Sequence, residues 1–332
     1  MSERRYDPTH DEWVTFATHR QDRTYKPSTA DCPLCPTHPG GPATEVPRDH
    51  YEIAVFDNRF PSLSPTPPAP DLAGDDLVPV EPAYGHCEVV VFTDDHEATL
   101  ASVGERRVRL LVDAWAHRFR ALAADPKIGY VLPFENKGEA VGVTLHHPHG
   151  QIYAYPEVPP RPAREQRAAR RHRERTGRCV FCDVVEHESK DPAGRLVVEG
   201  THFLAGVPPW ARFPYEVDIW ARDHVGTLPE LDAEARDDLA RVLTRVLAGY
   251  DEYFGFRTSY LLGVHSAPVN VPDDERGLGH LHLEICPPHR GGGKLKYLAG
   301  SETFGGAFLT DVAPEVAGPR LRDAVERATV PA

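Results

Sequence analysis

The sequence predicts an α+β protein built twice over: two copies of one unit, each an antiparallel sheet with a main helix, fused into one larger sheet. Three observations carry that expectation. Two Cys-x-x-Cys pairs, Cys32/Cys35 and Cys179/Cys182, open matching series of landmarks. Each series holds one helix-period stretch between β-type runs. Each ends on a His-x-His, His147/His149 in the first copy and His280/His282 in the second. Five landmarks recurring in one order identify an internal repeat.

In the first copy the β-type run Glu88-Val-Val-Val-Phe-Thr-Asp-Asp-His96 ends in Asp-His and leads on to Thr99 and Leu100. In the second, Glu216-Val-Asp-Ile-Trp-Ala-Arg-Asp-His224 leads to Thr227 and Leu228. A helix is then expected near 103–122, with Val108, Leu111, Ala114, Trp115, Phe119 and Leu122 on one stripe. Its counterpart is expected near 232–254, striped by Leu239, Val242, Leu243, Val246, Leu247 and Tyr250. The acidic turn after Leu231 suits a helix N-terminus, where the backbone carries partial positive charge. β-rich segments follow at Gly129–Glu135 and Ser259–His265. The boundary is placed in the basic, helix-prone stretch 161–175, giving units 1–165 and 166–332. A chain of 332 residues exceeds the usual single-core size, as two units require.

With 40% hydrophobic and 26% charged residues, the composition is that of a soluble globular protein. A net charge of −13 argues against an extended nucleic-acid surface, though not against a small phosphorylated ligand held locally. No apolar run reaches membrane-spanning length and the N-terminus lacks the apolar core of a signal peptide, so no membrane association and a cytoplasmic location are expected. There the thiols stay reduced, and four of six cysteines in Cys-x-x-Cys pairs favour metal sites over disulfides. Neither pair has the strand-to-helix context of a thioredoxin-like redox motif. Cys87 and Cys286, in apolar runs, are expected as small buried hydrophobes. The 33 prolines and the run 61–70 predict long loops.

The segment His147-Pro-His-Gly-Gln151 holds the most chemistry. Two imidazoles two positions apart on an extended segment share a face. Pro148 has no N–H and bars the middle of a helix or of a fully paired strand. Gly150 permits a close approach to the backbone, and the Gln151 amide can both donate and accept. Such a set suits attack on an electrophile such as phosphorus; a histidine-rich surface loop would hold the same residues. By register, Cys32, Cys35, His96 and His147 form a tetrahedral Zn²⁺ set, which leaves His149 free. Copy two offers Cys179, Cys182, His224 and His280 for a second zinc, unless that pair is a metal-free relic of duplication. Glu165, His265, His282 and Glu284 compete as a hard-ligand set that would favour iron or another octahedral metal.

Along nearly its whole length the chain also resembles the galactose-1-phosphate uridylyltransferases, a duplicated branch of the histidine-triad superfamily. The matching stretches are Arg5-Tyr-Asp-Pro-Thr-His-Asp-Glu-Trp-Val14, His19-Arg-Gln-Asp-Arg23, Cys32-x-x-Cys35, Val55-Phe-Asp-Asn58, Phe134-Glu-Asn-Lys-Gly138, His147-Pro-His-Gly-Gln151, His265-Ser-Ala-Pro268 and Gly279-His-Leu-His282. The resemblance implies two histidine-triad-like repeats and a ping-pong reaction. His149 attacks the α-phosphorus of UDP-glucose, glucose 1-phosphate leaves, and galactose 1-phosphate takes the uridylyl group from the histidine. Gln151 would donate to a phosphoryl oxygen. The backbone around 137–144, with Lys137 and the Asn136 and Thr144 side chains, would cradle the phosphates. Arg20 and Arg23 would lie near those phosphates and Asn58 by the nucleotide. Lys296 and Glu302 would bind the sugar in the active site of the other subunit, which implies a homodimer.

Departures from the family pattern are Ser301, where better-studied members carry Tyr, and Phe308, where Gln is expected. The second Cys-x-x-Cys is shared with plant-type ADP-glucose phosphorylases instead. Adenylyl transfer to phosphate, again through His149, is therefore the second reading. A third is a zinc-stabilised nucleotide-binding protein without turnover, to which a free second imidazole would be of no use.

Overall fold

The computed structural model describes residues 2–22, 26–41 and 43–331. The chain opens with β1 (Ser2–Asp7) and β2 (Glu12–Ala17). The first copy then runs β3 (Ala54–Asp57), β4 (Val80–Pro82), β5 (His86–Val91), α1 (Glu105–Ala123), β6 (Tyr130–Lys137) and β7 (His149–Tyr155). From there α2 (Pro160–Thr176) and α3 (Val180–Glu188) carry the chain into the second copy. That copy consists of β8 (Leu196–Glu199), β9 (Phe203–Gly206), β10 (Val217–Ala221), α4 (Ala233–Phe254), β11 (Tyr260–His265), α5 (Asp273–Arg276) and β12 (His282–Cys286). The chain closes through β13 (His289–Gly291), β14 (Lys294–Leu295), α6 (Gly300–Gly305) and α7 (Pro314–Arg327).

Among the described residues, nine strands form one antiparallel sheet in the order β3-β5-β7-β6-β11-β12-β10-β9-β8. The copies meet where β6 pairs β11, with Lys137 opposite Tyr260 and Phe134 opposite Gly263. β1, β2 and β4 form a separate small sheet. The fused α+β sheet expected from the repeat is therefore present.

One apolar core extends across both copies, packing α1 and α4 onto a single face of the sheet. On α1 the expected stripe is buried except Ala114, which is half-buried; Val112 and Ala116 are buried in addition, widening the stripe. All six expected α4 residues are buried. Asp232 caps α4, its carboxylate accepting from the Ala235 N–H at 2.8 Å.

The repeat is not in phase throughout. Val91 lies opposite His149, five residues before His96, whereas Trp220 lies opposite His282, four residues before His224. The first copy thus carries one extra residue between its strand and its Asp-His. A one-residue slip exchanges the faces of a strand. Val89 and Val91 accordingly face the cleft side of the sheet while Val217 and Ile219 enter the main core.

Glu135 is buried at the junction and accepts from the Tyr260 hydroxyl at 2.8 Å. Burial pushes its carboxyl up to about 7, with the Tyr260 bond and Lys137 opposing. A raised carboxyl is held neutral by folding, so its contribution is lost as pH rises through 7. We expect Glu135→Gln to be no more stable than the parent near pH 4. The variant should gain on the parent progressively to pH 8, by on the order of 3 kcal/mol, since a tenfold change in proton affinity is about 1.4 kcal/mol. Urea titrations at each pH measure this; a difference independent of pH contradicts it.

Candidate active site

β7 carries the reactive segment in the middle of the first copy, between β5 and β6. Pro148 sits just outside it, its carbonyl accepting from the Phe92 N–H at 3.1 Å. Along β7, Ile152 and Ala154 enter the core, so His149, Gln151 and Tyr153 share the opposite face. Gly150 is required by the protein's own packing: a Cβ there would lie 2.7 Å from the Phe134 carbonyl oxygen and 2.9 Å from the Phe92 ring. The close approach expected at this glycine is thus made by the Phe134 carbonyl and the Phe92 ring.

His149 Nδ1 lies 2.8 Å from the His147 carbonyl oxygen. A carbonyl only accepts, so Nδ1 carries the hydrogen and Nε2 keeps its lone pair. Burial pushes the imidazolium below its usual range, so the ring is neutral at pH 7. His149 forms the wall between two clefts. One is an apolar slot of Leu34, Phe56, Phe60, Val89 and Leu145, with Arg20, Glu45, Asn58, Arg59, Thr144 and Gln151 as its polar groups. The other is polar, bounded by Ser28, Thr29, Asn136, the 137–139 segment, His146, and Arg257 and Ser259 from the second copy.

The structure brings most of the expected binding residues to these clefts. Arg20 reaches the first one while donating to Ser62 Oγ at 2.5 Å and Tyr153 Oη at 2.9 Å. Strand alternation directs Asn136 to the His149 face and Lys137 to the other. There the Lys137 ammonium lies 3.7 Å from Asp251 and over the Tyr260 ring, so near the cleft this residue offers its backbone rather than its charge. Gly138 follows at φ +89°, where a Cβ would fall 2.1 Å from Ser259 Oγ; only glycine fits. Arg23 lies outside the described residues. Lys296 and Glu302 are not brought to His149 within this chain. They are buried and paired with each other at 2.8 Å, with Lys296 also donating to the Leu309 carbonyl. Sequence reasoning missed the apolar walls of the first cleft and the contribution of Arg257 and Ser259. Phe56 stood inside the quoted Val55–Asn58 stretch, but nothing in the chain order links Arg257 to His149.

Both four-residue metal groups assemble. Cys32, Cys35, His96 and His147 place one ligand atom each within 4.8 Å of one another, and Cys179, Cys182, His224 and His280 do the same. His147 Nε2 donates to the Thr93 carbonyl at 2.7 Å, which turns the Nδ1 lone pair toward Cys35 Sγ at 3.5 Å. His280 repeats this with Ala221 at 2.9 Å and both thiols at 3.8 Å. Burial holds both imidazoles neutral, near 4, as metal ligation needs. Burial and the neighbouring thiol push Cys35 and Cys182 up to about 12. Only a cation within each group would make them thiolates at neutral pH. The donors thus fit a tetrahedral metal in each copy. Cys179 is the N-cap of α3, so the second pair opens a helix, preceded by α2 and not by a strand.

The hard-ligand set Glu165, His265, His282 and Glu284 also lies within 4.8 Å and shares no residue with the thiol group, so the two do not compete. Arg161 already supplies a cation there, bonding Glu284 and lying 3.8 Å from Glu165. His282 is stacked between Phe181 and His265, with ring centroids at 4.5 and 4.8 Å. Glu284 stands where Gln151 stands in the first copy. Among the described residues, His149 lies on two open clefts, whereas His282 lines a small cavity with Glu165, Phe181 and Ser266.

Two family models match the chain, galactose-1-phosphate uridyl transferase N-terminal domain over residues 1–159 and C-terminal domain over 165–329. The chain belongs to the galactose-1-phosphate uridylyltransferase family. It is 40% identical to the galactose-1-phosphate uridylyltransferase of Thermotoga maritima over 97% of this chain and 98% of that one. With the enzyme of Streptomyces lividans it shares 36% identity over 98% and 88%. A solved uridylyltransferase superposes with a TM-score of 0.87 at 33% identity, covering 98% of this chain and 99% of that one. An ADP-glucose phosphorylase from Arabidopsis thaliana with bound ADP-glucose reaches 0.74 at 23% identity over 97% and 98%, a likeness of fold. No helix among the described residues is long and apolar enough to cross a membrane.

For this family member we expect Cys32→Ser to lower metal content by about one equivalent per chain. It should also lower the thermal midpoint by several degrees, about 1 kcal/mol being worth roughly 2–4 °C in domains of 150–250 residues. An unchanged midpoint together with unchanged metal content would show that the first group is not a structural metal site.

Proposed function

We propose that this chain transfers a uridylyl group from UDP-glucose to galactose 1-phosphate through a covalent uridylyl-His149 intermediate. The observation that carries the reading is the His149 Nδ1 bond to the His147 carbonyl. It presents a neutral, tautomerically fixed Nε2 at the boundary of an apolar and a polar cleft. The apolar slot suits a base and ribose, and the polar cleft suits phosphates and sugar.

In the first half-reaction Nε2 bonds to the α-phosphorus and the bond to the bridging oxygen breaks, releasing glucose 1-phosphate. In the second, a phosphate oxygen of galactose 1-phosphate displaces Nε2, giving UDP-galactose. No general base is needed in the first step, because the attacking nitrogen carries no proton. Gln151 donates to a phosphoryl oxygen as charge builds, supported by Arg20, Arg23, Thr144, Asn136 and the backbone after Lys137.

We assign zinc to Cys32, Cys35, His96 and His147, and to Cys179, Cys182, His224 and His280. Closed four-ligand shells supply structural restraint and no open catalytic position. The Glu165 cluster, balanced by Arg161, is an ion-pair network in this reading rather than an iron site. Lys296 and Glu302 are assigned to sugar binding across a homodimer, and the protein to the cytoplasm.

Incubation with UDP-glucose labelled in the uridylyl group is expected to label wild-type protein once per chain at His149, with the acid lability of a phosphoramidate. His149→Gly should take up no label while keeping its metal and fold. Chasing the labelled enzyme with galactose 1-phosphate should release UDP-galactose. Labelling by ADP-glucose and release by inorganic phosphate would instead establish the phosphorylase reaction. Nucleotide binding without any label would establish the non-catalytic reading.

A further inference from the structure

We infer that Asn58 is a positioning residue that decides which end of the Gln151 amide faces the reacting phosphate. Asn58 follows β3, with its backbone N–H donating to the Cys87 carbonyl at 2.8 Å. Its Oδ1 accepts from the Phe60 backbone N–H at 2.9 Å. A backbone N–H can only donate, so the oxygen of the Asn58 amide must take that side and Nδ2 the other. Nδ2 then donates to Gln151 Oε1 at 3.2 Å. Only an oxygen can receive that bond, so Gln151 turns its carbonyl toward Asn58 and its Nε2 hydrogens elsewhere.

Gln151 lines the same cleft as His149, two residues along the same face of β7 and roughly 6.5 Å away by strand geometry. A primary amide has nearly the same shape either way round, so packing alone discriminates poorly between its two orientations. The Phe60 N–H breaks that symmetry for both amides in turn. The consequence is electrostatic: an N–H, not a C=O, meets the phosphoryl oxygens as they gain charge. This rests on the uridylyl-transfer reading above.

Replacing the amide by its acceptor-only isostere should reverse the relay. Asn58→Asp keeps the Phe60 bond but offers Gln151 a second acceptor, drawing Nε2 away from the phosphate and turning Oε1 toward it. Asn58→Ala only releases Gln151 to sample both orientations. In single-turnover labelling with UDP-glucose, Asn58→Ala is expected to slow uridylylation by about 10-fold or less. Asn58→Asp should slow it by ~10²–10³, the size of one lost donor, with a smaller change in KM than in kcat. On a Gln151→Ala background the kcat penalty of either Asn58 change should disappear, because coupling through Gln151 is non-additive.

Equal rates for the two single variants, or an Asn58→Asp penalty undiminished in Gln151→Ala, would overturn the proposal; the second result would show direct repulsion between Asp and phosphate. Thermal midpoints report whether each variant folds. If Asn58→Asp does not fold, Asn58→Ala decides alone: its effect on kcat must vanish without Gln151, whatever it does to KM. Wild-type protein that takes up no label would defeat the functional reading instead, a different result from either of these.

Discussion

The hydrogen bond from His147 Nε2 to the Thr93 carbonyl ties the end of one strand to the start of the next. It commits the His147 proton to the backbone and its other nitrogen to the thiols. The head of β7 is thereby held against the Cys32/Cys35 loop. The next polar residue along, His149, bonds back to the His147 carbonyl and takes its own tautomer from that contact. The tautomers of His147 and His149 are thus set by two consecutive side chain-to-carbonyl bonds. Neither depends on a charged partner.

The second copy shows what those bonds do and do not specify. His280 and His282 repeat both of them, to Ala221 and to the His280 carbonyl. The Cys/His group is rebuilt, but the surroundings of His282 differ from those of His149. The one-residue difference in strand phase puts Asp218 where the first copy has Val89, opposite Glu284, which holds the position of Gln151. Buried carboxylates need cations, and Arg161 supplies one to Glu284. Stacking by Phe181 and His265 closes the remaining approach to His282.

Three residues expected to serve the substrate also have a local structural role. Lys137 turns its charge to Asp251 beneath the sheet and holds the end of β6, with Gly138 tight against Ser259. That ties the backbone after Lys137 in one copy to the other copy. Lys296 and Glu302 neutralise each other inside a segment whose neighbours Tyr297 and Phe304 are 70% and 92% exposed. The ion pair braces that segment.

The sequence by itself determined the duplication, the two main helices and the residues that assemble into the two Cys/His groups. Each is encoded by residue type at fixed spacing, and spacing survives folding when it lies within one element or one repeat. The buried stripes of α1 and α4 followed from helical period, with only Ala114 misplaced. Contacts between segments distant in the chain were decided by the tertiary structure alone. Asn58 and Gln151 are 93 residues apart, and their bond exists because β3 and β7 flank β5. Arg257 reaches the first copy's cleft through the β6–β11 junction. The one-residue phase difference between β5 and β10 was invisible as well, because such a slip leaves the motif readable while exchanging that strand's side chains between the two faces of the sheet.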